Sequence, residues 1–181
     1  MRKTKLDPAK LFLAQANRLL RQIYLPRISR CLQELSPQEM WWRANPASNS
    51  VGNLVLHLTG NVRQWIVSGL GGVPDIRDRD QEFAEPGVIP GRVLTARLRK
   101  TVREACRVLA KLSPSDLQRP YPIQGFRVTG LQAVYHVSEH FAHHAGQIIL
   151  LTKMLRGKSL GFTHLPGEPK RKRKAKSLPA V

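Results

Sequence analysis

The chain of 181 residues is long enough for a single domain that buries a hydrophobic core. Hydrophobic residues make up 41% and charged residues 23%, and the 13 Pro and 13 Gly are too few for a disordered composition. Cys31 and Cys106 lie far apart and belong to no CxxC pair, which argues against a disulfide scaffold. Because no apolar run reaches the length of a signal-peptide core or a membrane span, we expect a soluble cytoplasmic protein without a membrane partner.

Charge is the unusual feature, with a formal net charge of +18 and a sequence isoelectric point near 11.1. Six positive charges fall in the tail KRKRKAK, from Lys170 to Lys176, but the rest of the chain is also basic. We divide the chain into a helical domain at 1–165 and a basic, disordered tail at 166–181, since a charge run cannot form a core. Phosphate contacts with nucleic acid are the alternative interpretation of the tail, although no zinc-finger, RNP or KH-like motif supports them.

The first half of the chain predicts two long helices. One covers about Pro8 to Leu35, and we expect Pro26 to kink or break it because proline removes a helix hydrogen bond. LSPQEMWWR then begins a short helix with Ser36 as its N-cap. The second long helix runs from about Ser50 to Leu70, where the pair Gly71-Gly72 ends it.

The second half predicts two more helices and little strand. PDIRDRDQEFAEPG looks irregular, and a third long helix spans about Gly91 to Leu112 before a new helix start at Ser113. LQRPYPIQGFRV fits a short hairpin or an ordered loop, and the last helix runs from about Thr129 to Leu155. Four long helices without alternating strand patterns predict an all-α fold, an antiparallel four-helix bundle.

The last helix contains HVSEHFAHHAGQI, which holds four of the six histidines of the chain. On a helical wheel its apolar residues define one face toward the core. His140 and His144 lie at the core-side edge of that face, four residues apart, a spacing at which two imidazoles can bind one metal ion. On the same wheel His143 points away from the core, and His136, one turn before His140, also points outward. From the wheel alone, a metal-binding pair and a hydrogen-bonded histidine network remain equal alternatives.

A third ligand would have to come from another helix. His164 follows the last helix in a loop, which leaves His57 as the candidate. His57 lies in a run from Ala44 to Val62 that contains no charged residue, so this segment is expected to be enclosed on most sides. His57 shares an uncharged polar stripe, typical of a cavity wall or of a buried amide network without metal, with Asn53, Asn61 and Gln64.

Three stretches, SNSVGNLVLHLTGNVRQWI, GGVPDIRDRDQEF and HVSEHFAHHAGQI, together resemble the DinB/YfiT-like superfamily. The resemblance covers about residues 10 to 157. It implies a four-helix bundle, often a homodimer, that binds a divalent metal, zinc or nickel, through His57, His140 and His144. Similar proteins include metal-dependent transferases and isomerases that use low-molecular-weight thiols such as bacillithiol, mycothiol or glutathione, and many members without known activity.

The expected function is therefore a metal-dependent thiol S-transferase or hydrolase acting on a small molecule. Three neutral imidazoles leave a position on the ion open, where water or a thiol can lose its proton. The residues expected to orient ligands or to line the site are Asn53, Asn61, Gln147, His136 and His143. Asp78 and Asp80 have no assigned chemistry and fit a helix cap or a dimer contact. The alternative function is a non-catalytic module whose basic surface and tail bind nucleic acid or an acidic partner.

Overall fold

The computed structural model describes residues 7–162, and all structural statements below concern this part of the chain. It contains eight α-helices, two π-helical segments and one β-hairpin. In chain order the elements are α1 Pro8–Arg18, a π-helical segment Leu19–Tyr24, α2 Leu25–Glu34, α3 Pro37–Trp41, α4 Val51–Val62, a π-helical segment Arg63–Leu70, α5 Arg79–Ala84, α6 Gly91–Leu109, α7 Pro114–Gln118, β1 Pro120–Ile123, β2 Phe126–Thr129 and α8 Gly130–Arg156.

The predicted helix starts are confirmed because each rests on local chemistry. Ser36, Ser50 and Thr129 each precede a helix, and each side chain accepts the backbone N–H of the residue three positions later. The side chain of that later residue in turn accepts the backbone N–H of the capping residue, which completes a capping box. The start of α8, which carries the histidine cluster, is thus fixed by sequence-local hydrogen bonds.

Of the kink or break expected at Pro26, the break does not occur, although a π-helical segment interrupts the regular α-helix just before it. Pro26 lies in the first turn of α2, directly after the π-helical segment, and Leu25 N–H bonds the carbonyl of Leu20, five residues earlier. The wider π turn accommodates the proline, which lacks an N–H, without ending the helix. α1, the π-helical segment and α2 therefore form one continuous helical rod.

The four long helical rods form a four-sided all-α bundle, as predicted, but the neighbouring rods that contain α4 and α6 run parallel rather than antiparallel. The first rod and the rod made of α4 and the second π-helical segment lie diagonally, and each packs against both α6 and α8. Two side-chain contacts show that α8 runs antiparallel to α4. His57 contacts His140, whereas Asn61, one turn later on α4, contacts His136, one turn earlier on α8. The core between the rods is filled by buried side chains such as Leu58 and Phe141.

The segment between α4 and α6 allows these two helices to lie side by side in the same direction. Arg63 pairs with Glu104, and Gly71 lies against Val108, so residue numbers rise together along both helices. This parallel arrangement requires a connection that returns along the bundle. The segment predicted to be irregular forms this connection and contains the short helix α5, which was not expected. Asp78 caps α5 by accepting the backbone N–H of Gln81.

The remaining boundaries differ little from the prediction. α6 ends at Leu109 rather than at Leu112, and β1 and β2 form the hairpin in antiparallel register, with Tyr121 opposite Val128. None of the helices in residues 7–162 combines the length and the apolar character needed to cross a membrane. His164 and the tail from Lys170 to Lys176 lie outside the described residues.

Candidate metal centre

α4 and α8 bring the three predicted ligands together near the middle of the bundle. One ring nitrogen from each of His57, His140 and His144 lies within 4.8 Å of the others. The closest pair is His57 Nε2 and His140 Nε2, which are 2.8 Å apart. His57 is buried, whereas His140 and His144 are half-buried. The cluster is therefore closed on the α4 side and more open along α8.

Glu82 from α5 sets the orientation of His57. Its carboxylate oxygen Oε2 lies 3.0 Å from His57 Nδ1, and both side chains are less than a tenth exposed. Nδ1 also lies 3.2 Å from Arg77 Nη2, which can only donate. Because the carboxylate can only accept and its contact is the shorter one, we assign a proton to Nδ1. This tautomer leaves the lone pair of His57 on Nε2, the atom that faces His140. A carboxylate behind a histidine in this way is the usual support of a metal-binding imidazole.

Arg77 neutralises Glu82 and holds it in place. The guanidinium donates from Nε to Glu82 Oε1 at 2.7 Å and from Nη2 to Oε2 at 2.8 Å, a two-pronged pairing in which the Arg77 side chain is only 3% exposed. Burial raises the pKa of Glu82, but hydrogen bonds from Arg77 and His57 outweigh it and leave the pKa below the ordinary value. Glu82 is therefore an anion at neutral pH.

The polar stripe on α4 anchors the segment that carries Arg77 and Glu82. Gln64 accepts from Arg77 at 2.8 Å and donates to Asp75 at 2.8 Å. Asn53 donates to the main-chain carbonyl of Glu82 at 3.0 Å and contacts none of the three histidines. The stripe thus bonds neighbouring elements rather than facing an open cavity, so the alternative to a cavity wall, a buried amide network, exists beside the histidine cluster.

Gly60 makes room for this support. A Cβ atom at Gly60 would overlap the carboxylate of Glu82 and come within 2.8 Å of the Arg77 guanidinium. The ion pair of Arg77 and Glu82 therefore packs directly against the backbone of α4 at Gly60. On the other side, the ring of Phe83 packs against His57 with ring centroids 4.9 Å apart.

Gln147 supports His144 from the exposed side. His144 Nδ1 lies 2.7 Å from Gln147 Oε1, an atom that can only accept, so the proton belongs on Nδ1 and the lone pair on Nε2. The amide of Gln147 also donates to His143 Nε2 at 3.3 Å. His143 is exposed, as expected, and reaches the cluster only through Gln147.

His136 does not point outward, contrary to the helical-wheel prediction. Its ring is half-buried, stacks on Trp65 with centroids 4.0 Å apart and lies 5.2 Å from His140. Asn61 Nδ2 lies 3.2 Å from His136 Nε2 and donates to it. The wheel considered one buried face, but α8 packs against α2 on one side and against α4 with its π-helical extension on another.

The surroundings of His140 and His144, the two half-buried histidines of the cluster, lower the pKa of both side chains. Burial, together with the neighbouring His144 and His57, lowers the pKa of His140 to about 3. Burial also lowers the pKa of His144, against the opposing effect of its hydrogen bond to Gln147. Neutral imidazoles carry free lone pairs at neutral pH, which is the protonation state that a metal ligand requires.

The donor set fits a single divalent cation. Three neutral imidazole nitrogens within 4.8 Å can reach one ion after small ring rotations, because histidine nitrogens bind zinc at about 2.0–2.1 Å. Two of the three, His57 and His144, are already fixed in the tautomer that presents Nε2 to the centre. The cluster can therefore hold a metal ion.

The sequence prediction missed Arg77 and Glu82. Both lie in PDIRDRDQEFAEPG, where the alternation of charges resembles a solvated loop. The available signal was the Asp78 cap, which predicts a helix that places Glu82 four residues later. Neither burial nor the pairing with His57 could be deduced from that local pattern, since His57 is 25 residues away in the sequence.

Solved structures share this arrangement of helices. A DinB-like protein from Bacillus cereus superposes with a TM-score of 0.63 at 17% sequence identity, covering 81% of this chain and 91% of that chain. The DinB-like protein YjoA from Bacillus subtilis superposes with a TM-score of 0.59 at 16% identity, covering 82% of this chain and 94% of that one. At such low identity, these similarities establish the fold, and they confirm the predicted DinB-like bundle.

Sequence comparison places the chain in a family without a known role. No curated protein matches it. The model of a family described as protein of unknown function (DUF1572) matches residues 7–167, which include every element of the bundle and all three clustered histidines. The chain therefore belongs to the DUF1572 family, and its fold is similar to that of the DinB-like proteins.

Proposed function

We propose that the protein binds one divalent metal ion, zinc or nickel, through His57, His140 and His144. The observation that carries the proposal is the convergence of three imidazole nitrogens, from two helices, within 4.8 Å of one another. A hydrogen-bonded network without metal explains the cluster less well, because three neutral imidazoles meet with few donors between them.

The supporting residues favour the same conclusion. Glu82 accepts a hydrogen bond from Nδ1–H of His57, and Gln147 accepts one from Nδ1–H of His144. In each histidine the lone pair on Nε2 then faces the centre of the cluster. Glu82 is buried and anionic, and a negative charge behind an imidazole makes it a stronger donor to a cation.

We further propose that the ion serves a thiol-dependent S-transferase or a hydrolase acting on a small molecule. A divalent ion held by three imidazoles lowers the pKa of a bound thiol or water. The protein supplies the position and the approach: His140 and His144 are half-buried while His57 is buried, so a substrate would reach the centre along α8. Gln147, exposed beside His144, is placed to contact it.

Elemental analysis of the purified protein tests metal binding. We expect one zinc or nickel per chain in the wild type and in the His143→Ala variant, because His143 is exposed and touches the cluster only through Gln147. We expect His140→Ala to lose most of the metal. Absence of stoichiometric metal after incubation with zinc or nickel, or equal metal content in both variants, would refute the metal site.

A panel of thiols tests the finer proposal separately. Metal-loaded protein is assayed with bacillithiol, mycothiol and glutathione against electrophilic small molecules, and for hydrolysis without thiol. Activity that disappears in His140→Ala but persists in His143→Ala supports catalysis at this centre. A protein that binds metal stoichiometrically and is inactive in every assay contradicts the enzymatic proposal and leaves metal binding intact.

A further inference from the structure

The outer surface of α6 is the most basic part of the described structure. Six of its 19 residues are Arg or Lys, and every one of the six is exposed: Arg92, Arg97, Arg99, Lys100, Arg103 and Arg107. A helix of this length extends about 28 Å. The surface lies on a rod separate from α4 and α8, which carry the histidine cluster. Nothing in the proposed metal chemistry uses it.

These cations are not balanced within the described residues. None of the six forms an ion pair with a carboxylate of residues 7–162. The one acidic residue of α6, Glu104, already pairs with Arg63 of the neighbouring rod. Some basic side chains elsewhere in the described structure are paired, as with Arg156 and Glu39. Like charges at successive helical turns repel one another, so the arrangement costs stability unless an anion binds.

Both flanks of α6 continue the basic surface. On one side a groove between α6 and the first rod is lined by Arg21, Arg103 and Arg107 with the neutral Asn17. On the other side a depression of about 600 Å³ is lined by Lys100, Arg107, Lys111 and the paired Arg63 and Glu104, together with apolar side chains from both helical rods. Arg107 lies between the two concave surfaces. The positive charge therefore spreads over a broad ridge with concave edges rather than a single line.

We propose that this surface binds the phosphate backbone of duplex nucleic acid without reading its sequence. The guanidinium groups can donate to phosphate oxygens in pairs, and a duplex presents one negative charge per roughly 1.7 Å of its axis. A ridge about 28 Å long can therefore meet many phosphates at once. The proposal differs from tail binding because the contacts come from the folded domain.

The uncharged side chains decide between this partner and other anions. An anionic membrane would favour large apolar residues among the cations, and none of the large exposed apolar residues lies on α6. Single strands are usually held by exposed aromatic rings on which bases stack. The exposed aromatic residues of the described structure, Trp42, Phe126 and Tyr135, all lie on other elements. Backbone contact with a duplex fits the face of α6, on which all the large exposed side chains are cations.

Binding of a labelled DNA duplex of arbitrary sequence, measured by fluorescence anisotropy over a range of salt, tests the proposal with the full chain. The variant Arg103→Gln/Arg107→Gln removes two central cations. The matched control, Arg127→Gln/Lys153→Gln, removes two exposed and unpaired cations from β2 and α8. We expect the first variant to weaken binding at least tenfold and to reduce the slope of log affinity against log salt by about 2, while the control changes little.

Four outcomes would overturn the proposal. The first is no binding of the wild type at low salt. The second is equal losses in the α6 variant and the control, which would show that only net charge matters. The third is binding abolished by changing the six tail cations between Lys170 and Lys176 to Gln yet unaffected by the α6 changes. Vesicles rich in phosphatidylglycerol serve as the competing probe, and tighter α6-dependent binding to them would assign the surface to a membrane instead.

Discussion

Glu82→Gln is the sharpest test of how the fold supports the candidate metal centre. The substitution keeps the size of the side chain and an oxygen that can accept from His57 Nδ1, but it removes the negative charge. Arg77, whose side chain is 3% exposed, then stays buried without a counter-ion. Two effects follow, one on the free energy of unfolding and one on the affinity for metal.

Both effects have expected sizes. Breaking a buried ion pair by removing one partner costs about 3–5 kcal/mol, because the remaining charge is left uncompensated. For a domain of this size, 3 kcal/mol corresponds to a fall in Tm of roughly 6–12 °C. Loss of a carboxylate behind a metal-binding histidine lowers metal affinity about 10- to 100-fold. We therefore expect both a lower Tm of the metal-free protein and weaker zinc binding.

Thermal unfolding of the metal-free protein and zinc competition with a chromophoric chelator measure the two effects. Glu104→Gln is the matched control, because Glu104 also pairs with an arginine, but in a site where both side chains are about a quarter exposed. It should cost no more than about 1 kcal/mol and leave zinc affinity unchanged. Adding Arg77→Gln to Glu82→Gln should recover part of the stability but not the affinity. If Glu82→Gln behaves like Glu104→Gln in both assays, Glu82 does not support His57 and the reasoning fails.

Three further predictions concern the same region. Gly60→Ala should displace Glu82 and lower zinc affinity roughly tenfold in the same competition assay, and unchanged affinity would show that the ion pair tolerates the displacement. Gln147→Ala should weaken zinc binding less than any ligand replacement, because Gln147 is exposed and water can replace its amide; a loss as large as that of His140→Ala would contradict this. In urea unfolding of the metal-free protein, stability should fall as pH decreases from about 6.5 toward 3. His140 has a pKa of about 3 in the fold, so the unfolded chain binds more protons in this range, and His140→Gln should reduce the decline.

The sequence predicted those features of the fold that depend on neighbouring residues. Helix starts at Ser36, Ser50 and Thr129 follow from hydrogen bonds spanning three residues, and all three formed as expected. The pair His140 and His144 could be assigned to one helix face because four residues separate them, a spacing that places side chains one turn apart. Such statements need no knowledge of what packs against the helix.

The features that were missed depend on contacts between distant segments. The outward placement of His136 was wrong because a wheel describes one helix, whereas the second buried side of α8 comes from Trp65 on another rod. Glu82 was missed because its burial depends on Arg77 and on the absence of a side chain at Gly60. The resemblance to DinB-like proteins supplied His57 but contained no information about the residues behind it.

The rings of the three histidines are fixed to different degrees, because their Nδ1 atoms have different hydrogen-bond partners. His57 is fixed by a buried anion, and His144 is fixed by an exposed amide that exchanges readily with water. His140 Nδ1 has no hydrogen-bond partner among the described residues, and its one polar contact is through Nε2 to His57. Its tautomer can therefore change at little cost: the proton lies on Nε2 when that atom donates to His57, and it would lie on Nδ1 if Nε2 bound a metal ion. A site built in this way keeps His57 and His144 oriented in advance and leaves to His140 alone the tautomer shift that metal binding would require.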